Sequence, residues 1–210
     1  TLRKCWDTLY INPDKALSYG HEALAESQKH NYTSGIISAS NLLGIVFDVK
    51  SKYDSSLFYY YQALQYSTMV NDTFSMANST SNIGLSYWHM NDYNKSLEYF
   101  YQALSYFESL NPEGQGIANV LNNIGIIFNY LNDHDNALEK FRKALDIYQK
   151  INDKHGIGAT LTNMASSYKK QNIDSLAIKK LLESIKVKEA INDYYGLCIS
   201  YNELTHIYIS

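Results

Sequence analysis

Five related segments return down this 210-residue chain at a nearly constant interval, and that regularity restricts the fold more than any other property. Asn122-Asn123-Ile124-Gly125-Ile126-Ile127-Phe128 is preceded by Asn41-Leu42-Leu43-Gly44-Ile45-Val46-Phe47 and by Ser81-Asn82-Ile83-Gly84-Leu85-Ser86-Tyr87. It is followed by Thr162-Asn163-Met164-Ala165-Ser166-Ser167-Tyr168 and Asn202-Glu203-Leu204-Thr205-His206-Ile207-Tyr208. At Gly44, Gly84, Gly125, Ala165 and Thr205 the steps are 40, 41, 40 and 40 residues. A period of this size belongs to a solenoid, whose units bury their apolar faces only against their neighbours. The expectation is one stack over residues 1–210.

The rest of the composition narrows the class. A hydrophobic fraction of 45% supplies a core, and only Pro13 and Pro112 interrupt a chain otherwise suited to helices. A net charge of -3 leaves no electrostatic footprint for direct nucleic-acid binding or for an anionic membrane. No apolar run approaches the ~20 residues of a spanning helix, so this segment is not expected to insert into a membrane. The start at Thr1 shows neither a signal peptide nor an initiator Met, which reads as a processed or excised piece. Cys5 and Cys198 sit near opposite ends of the expected stack, too far apart for a disulfide. Two unpaired thiols point to a reducing, cytoplasmic compartment, with an extracytoplasmic sensor region as the alternative.

Residues 2–11 read as a short first helix. Asn12 is then an N-cap, and Pro13 occupies the first helical position, where its missing N–H costs nothing. Ala16, Leu17, Gly20, Ala23 and Leu24 make one apolar face of a helix running to about His30. The same second helix recurs with Ser56, Ser96, Ala137 and Ala177 in the place of Ala16. Tyr60, Phe100, Phe141 and Leu181 then replace Gly20, and Ala63, Ala103, Ala144 and Ser184 replace Ala23. Small residues seven apart around a large one let a neighbouring helix approach and receive a knob. Asn91-Asp92 and Asn132-Asp133 lie between paired helices. Asn71-Asp72, Asn111-Pro112, Asn152-Asp153 and Asn192-Asp193 lie between pairs, where Asn accepts a left-handed exit and Pro112 cannot continue a helix.

This arrangement resembles the tetratricopeptide repeat (TPR) family. Helix A carries a large apolar residue, then Gly, then an aromatic three later, as in Leu43, Gly44, Phe47 and Ile124, Gly125, Phe128; helix B carries Ser96, Phe100, Ala103. The resemblance covers residues 12–210, in the longer period of about 40 residues used by kinesin light chains and bacterial TPR sensor and signalling proteins. It implies an all-α, right-handed α-α superhelix of about five helix pairs plus a lone C-terminal helix A. The repeats fall at approximately 1–30, an atypical first pair, then 35–72, 75–112, 116–152, 156–192 and 196–210. The usual Pro near the end of helix B is missing, so helix B is expected to run on by a turn. The last helix A lacks its partner, so Leu204, Ile207 and Tyr208 should be partly uncovered. The natural protein is expected to continue past Ser210, or this helix to meet a second copy.

The resemblance places helix A on the concave face. By register that face holds Ser38, Asn41, Leu42, Ile45 and Asp48, then Asn78, Ser81, Asn82, Leu85, Trp88 and His89. Asn119, Asn122, Asn123, Ile126, Asn129 and Tyr130 follow, then Ala159, Thr162, Asn163, Ser166, Lys169 and Lys170. Asn202, Glu203 and His206 end the series. Asn82, Asn123 and Asn163 each lie two residues before the Gly or Ala of the repeat. A carboxamide offers a donor and an acceptor, suited to the backbone of an extended peptide whatever its side chains. Helices pack roughly 8–10 Å apart and a strand rises roughly 3.3 Å per residue, so one Asn per about three peptide residues is a match. This is similar to the asparagine ladder of kinesin light chains. The competing reading is that these Asn bond to the next repeat and only brace the stack.

Trp88, His89 and Tyr130 are candidate anchors for a partner side chain, or else covers for the A–B turn. A carboxylate clamp of the chaperone co-factor kind would need converging cations, and only Lys169 and Lys170 offer themselves, opposed by Asp48 and Glu203. The six histidines show no recurring metal-ligand spacing, and no phosphate loop or buried carboxylate pair suggests catalysis. No cofactor and no enzymatic activity are expected. The reading is a protein-interaction module for a peptide or protein partner, with peptide contacts from Asn41, Asn82, Asn122, Asn123, Asn163, Asn202, Trp88, His89, Tyr130 and Lys169. The alternative is a regulatory input region of a larger bacterial histidine kinase or transcriptional regulator.

Overall fold

The computed structural model describes residues 1–111 and 113–209, so Pro112, read above as a helix terminator, and Ser210 lie outside the described residues. Among the described residues there are eleven α-helices and no strand. They form two compact units, residues 1–110 and 111–210. The first contains α1 (Leu2–Thr8), α2 (Pro13–Lys29), α3 (Thr33–Val49), α4 (Tyr53–Met69), α5 (Thr73–His89) and α6 (Tyr93–Leu110). The second contains α7 (Gln115–Tyr130), α8 (His134–Lys150), α9 (Lys154–Lys170), α10 (Asp174–Glu189) and α11 (Tyr194–Ile209). Odd-numbered helices from α3 onward are the A helices and even-numbered ones the B helices.

One turn chemistry serves both kinds of link. Asn31, Ser51, Asn71, Asn91, Asn132, Asn152, Asn172 and Asn192 all have φ between 51° and 62°. After α5, the N–H of Asn91 donates to Trp88 O and that of Asp92 to Tyr87 O, both at 2.9 Å, a Schellman closure with Asn where Gly is commonest. The following Asp then caps the next helix, Asp72 accepting from Ser75 N at 3.0 Å and Asp153 from Gly156 N at 3.0 Å. Each Asn-Asp pair therefore splits the work, one residue ending a helix and the next starting another. Between Leu110 and Gln115 the turn differs, with Asn111 Oδ1 accepting from Glu113 N and Asn111 O from Gly114 N. The single 41-residue step falls at this turn.

In the pairs α3–α4, α5–α6 and α7–α8 an aromatic ring of helix B covers the glycine of helix A. Tyr60 lies on Gly44, Phe100 on Gly84 and Phe141 on Gly125, all three rings being essentially fully buried. Each such ring contributes roughly 1.5–3 kcal/mol by leaving water. A Cβ on Gly125 would meet Phe141 Cε1 at 2.6 Å, so glycine is what permits the approach.

The cores are local, as a stack requires. In the first unit Ala23, Leu24, Ile36, Ala39 and Leu43 form one cluster, and Leu57, Tyr60 and Ile83 form the next. In the second unit Ala137, Leu138, Phe141 and Met164 are followed by Ala165, Ala177, Leu181 and Ile207. Ile207, expected to be partly uncovered, is buried against α9 and α10, while Tyr208 is exposed as expected and Ile209 with it. Helix α1 stops at Thr8 rather than Ile11, because Asn12 must cap α2 and the chain reverses through Leu9–Ile11. It is held by Cys5 and Leu9, both fully buried, and the Cys5 thiol donates to Ala16 O at 3.1 Å. Burial pushes that thiol above its ordinary pKa. Cys198 is exposed on α11.

Candidate functional site

The carboxamides of the A helices divide by position. Three residues before the glycine, Asn41 Oδ1 accepts from Ser79 Oγ on α5 at 3.1 Å. In the second unit Asn122 Oδ1 accepts from Thr160 Oγ1 on α9 at 3.2 Å and from Asn163 Nδ2 at 3.1 Å. Thr162, at the same position, pairs with Ser200 of α11 at 3.2 Å. The partners Ser79, Thr160 and Ser200 are fully buried, and each lies 38 residues further on. This is a repeated clasp between successive A helices, and it binds Asn41 and Asn122 to structural work.

Two residues before the glycine the outcome differs. Asn82 and Asn123 are half-buried, and neither carboxamide makes a hydrogen bond to the described residues. Asn163 is joined to Asn122, and Asn202, which lies three residues before Thr205 like Asn41 and Asn122 before their glycines, is exposed on α11 with no hydrogen bond among the described residues. Asn41, Asn122 and Asn163 thus brace neighbouring A helices, whereas Asn82, Asn123 and Asn202 make no side-chain hydrogen bond among the described residues.

Several residues placed on the open face by register belong to the interior. Leu42, Asn129 and Thr162 are buried. Asn129 Oδ1 lies 2.7 Å from His134 Nδ1, closing the α7–α8 turn. Asp48 accepts from Tyr60 OH at 2.8 Å and Ser86 Oγ at 2.9 Å, linking three helices. Burial, reinforced by the Asp48 charge, holds the Tyr60 phenol far above its ordinary pKa, so it stays a donor. Asn119 likewise accepts from Tyr148 OH at 2.6 Å.

The aromatic candidates are already in contact with the chain. His89 stacks on Tyr53 with ring centroids 5.4 Å apart, and Trp88 is tilted against His89 at 4.7 Å. Tyr130 is exposed, and Lys170 Nζ sits 5.5 Å over its ring while donating to Asn129 O at 3.0 Å. Lys169 is half-buried and makes no ion pair among the described residues. No group of three His, Cys, Asp or Glu among the described residues is placed to hold a metal ion.

Two features escaped the sequence. Helix α1 supplies Leu2, Arg3 and Trp6 to a cleft of about 430 Å³ whose other wall is Ser38, Asn41, Leu42 and Ile45 of α3. Buried Lys188 donates to Thr162 Oγ1, Gly196 O and Ser200 Oγ at 2.9, 3.1 and 2.8 Å, tying α9, α10 and α11 together. Desolvation pushes its pKa down, opposed by the Asp193 charge. Burial of charge was not legible because Lys188 stands where Tyr148 and Phe107 stand in earlier repeats.

With this geometry in hand, the comparison with known families is specific. A family model described as Tetratricopeptide repeat matches residues 75–150 and 116–190, more than half of the chain. The chain is a tetratricopeptide-repeat protein. Solved TPR structures share its fold. The signal transduction ATPase with numerous domains and a tetratricopeptide repeat sensor from Pyrococcus horikoshii is 17% identical with a TM-score of 0.79, over 98% of this chain and 32% of that one. Kinesin light chain-like repeats from Podosopora anserina are 11% identical with a TM-score of 0.72, over 91% and 94%. A Rap protein complexed with competence and sporulation factor is 14% identical with a TM-score of 0.71, over 97% and 61%. This TPR chain therefore spans about a third of the ATPase and under two thirds of the Rap protein. No curated protein matches the sequence. Among the described residues no helix is long and apolar enough to cross a membrane. TPR folds of this kind are protein-interaction scaffolds, and the chain is built as one.

Proposed function

We propose that this TPR chain recruits a partner protein by holding an extended segment of it along the A helices of a unit, gripped by the carboxamide two residues before a glycine, Asn82 in the first unit and Asn123 in the second. The observation that carries the reading is the contrast between adjacent positions. Asn41 and Asn122 give their Oδ1 to the clasp, whereas Asn82 and Asn123, one position later in the repeat, have both donor and acceptor unengaged among the described residues. Such a carboxamide can pair with peptide N–H and C=O without selecting side chains, and its fixed helix reduces the ordering cost of binding. The Rap neighbour, solved with competence and sporulation factor, is compatible with a segment-binding TPR.

The test is fluorescence anisotropy of a labelled pool of capped heptapeptides with the wild type and with Asn82→Ala/Asn123→Ala. The reading predicts at least about a twofold weaker association for the double variant, from losing one net hydrogen bond of about 0.5–1.5 kcal/mol in each unit. Equal affinity with an intact fold would sink it. A second reading, a regulatory input region, is favoured by the TPR sensor of the Pyrococcus horikoshii ATPase. It predicts that peptide binding slows amide exchange in helices remote from the peptide as well as at the site.

A further inference from the structure

Helix α1 is outside the repeat pattern, yet it is packed into the first core. Cys5 and Leu9 are fully buried against Ala16, Leu42 and Val46, and the Cys5 thiol is hydrogen-bonded to Ala16 O. This anchorage turns Trp6 outward, leaving the indole 56% exposed on a rigid wall. The facing wall of α3 is a stripe at helical spacing, Ser38, Asn41, Leu42 and Ile45. Between them lies the cleft of about 430 Å³, within the usual range of ligand pockets of about 300–1,000 Å³. A dry cavity of about 150 Å³ already holds benzene, so this cleft has room for a large side chain and the backbone beside it.

The lining states the chemistry of the occupant. Leu2, Trp6, Leu42 and Ile45 are apolar, which favours an apolar side chain. Asn41 gives Oδ1 to Ser79 but its Nδ2 has no partner among the described residues, so it remains a donor for a peptide carbonyl. Arg3 is the one charged residue of the lining. Its pairing with Asp7 is 3.9 Å long between side chains 94% and 63% exposed, a contact of little strength that a carboxylate at the cleft can replace.

We propose that the cleft between α1 and α3 is an anchor pocket of the peptide site, taking a large apolar side chain of the partner that is followed by a carboxylate. It rests on the peptide-binding reading above and adds to it a sequence preference that the carboxamides alone do not supply. The carboxylate is an acidic side chain of the partner segment, met by Arg3.

The experiment uses fluorescein-labelled, N-acetylated heptapeptide pools with randomised flanks and a central Leu-Asp, Leu-Lys, Ser-Asp or Ser-Lys pair. All are C-amidated, and a further pool ends in Leu with a free carboxylate. Anisotropy is measured with the full chain, with Trp6→Ala, with Arg3→Glu and with Asn82→Ala/Asn123→Ala, folding being checked by circular dichroism. The wild type should prefer Leu-Asp over Ser-Asp by about tenfold, the scale of discrimination of an apolar pocket. Trp6→Ala should abolish that preference, and Arg3→Glu should turn the preference for Leu-Asp over Leu-Lys into its reverse. The Asn variant should weaken every pool while keeping their order. Tighter binding of Leu-Asp than of the free-carboxylate pool supports the acidic side chain; the opposite order overturns it in favour of a chain terminus. Pools that all bind the wild type equally overturn the pocket and leave peptide binding standing, whereas no binding by any pool overturns both. Should Trp6→Ala unfold, Arg3→Glu, at a fully solvated position, decides alone: an unchanged Asp preference overturns the proposal.

Discussion

Replacing Gly125 by Ala sets two opposed effects against each other, and the geometry says which wins. Alanine in a helix interior is better than glycine by up to about 1 kcal/mol, so propensity alone predicts stabilisation. The new methyl would stand 2.6, 2.7 and 3.0 Å from three atoms of the Phe141 ring, and that ring is fully buried among Ala137, Leu138 and Met164. It cannot swing away without opening the α7–α8 pair, and overpacking of this kind costs about 1–3 kcal/mol. With the propensity gain in full, the net expectation is a loss of up to about 2 kcal/mol. Gly84 is the internal control, since its Cβ would lie 3.1 Å from the Phe100 ring, a separation that a shift of a few tenths of an ångström relieves. Gly84→Ala should therefore be neutral within about 0.5 kcal/mol, and Gly125→Ala/Phe141→Leu should recover part of the loss of Gly125→Ala. Urea unfolding followed by far-ultraviolet circular dichroism reads the midpoints, compared between variants because stacked repeats need not unfold in two states. Equal effects of Gly84→Ala and Gly125→Ala, or a more stable Gly125→Ala, would refute the steric argument.

The clasp predicts that Asn122→Ala lowers the urea midpoint by about 1–2 kcal/mol equivalent, leaving Thr160 and Asn163 short of an acceptor, whereas Asn123→Ala stays within about 0.5 kcal/mol. Thr80 Oγ1 is buried with no hydrogen-bond partner among the described residues, so the near-isosteric Thr80→Val should raise the midpoint by about 1 kcal/mol equivalent, and a lowered midpoint would contradict this. At left-handed Asn152, φ 57°, Gly should be neutral or better while Val should cost about 1–2 kcal/mol in the same assay. Lys188 has a folded-state pKa below its ordinary value, so above that lowered pKa the unfolded chain binds more protons and stability rises with pH until the ordinary lysine pKa is passed. Lys188→Met should lose that alkaline gain, read as a flatter midpoint-versus-pH curve than the wild type gives.

The architecture was readable because its devices are local. The 40-residue step, the Gly-under-ring contact of Gly125 and Phe141, and the Asn-Asp turns each lie within one helix pair or one link. The site was only half readable, for a geometric reason. Whether a carboxamide braces or stays open depends on what the next A helix brings opposite it. That partner lies 38 residues on, not one full period, since the clasp joins unlike positions of successive repeats. Asn122 and Asn123 look equivalent in sequence but differ because only Asn122 meets Thr160. The wall supplied by Trp6 was hidden because α1 falls outside the repeat, and Asp48 was taken for a groove residue because the Tyr60 hydroxyl that claims it comes from helix B.

Carboxamide NMR of the ¹⁵N-labelled chain, titrated with the tightest single peptide from the Leu-Asp pool, reaches the division of labour directly. The side-chain NH₂ signals of Asn82 and Asn123 should move with peptide while that of Asn163, held by Asn122, stays in place. Saturable binding that shifts the Asn163 signal and leaves Asn82 and Asn123 unmoved would contradict the account.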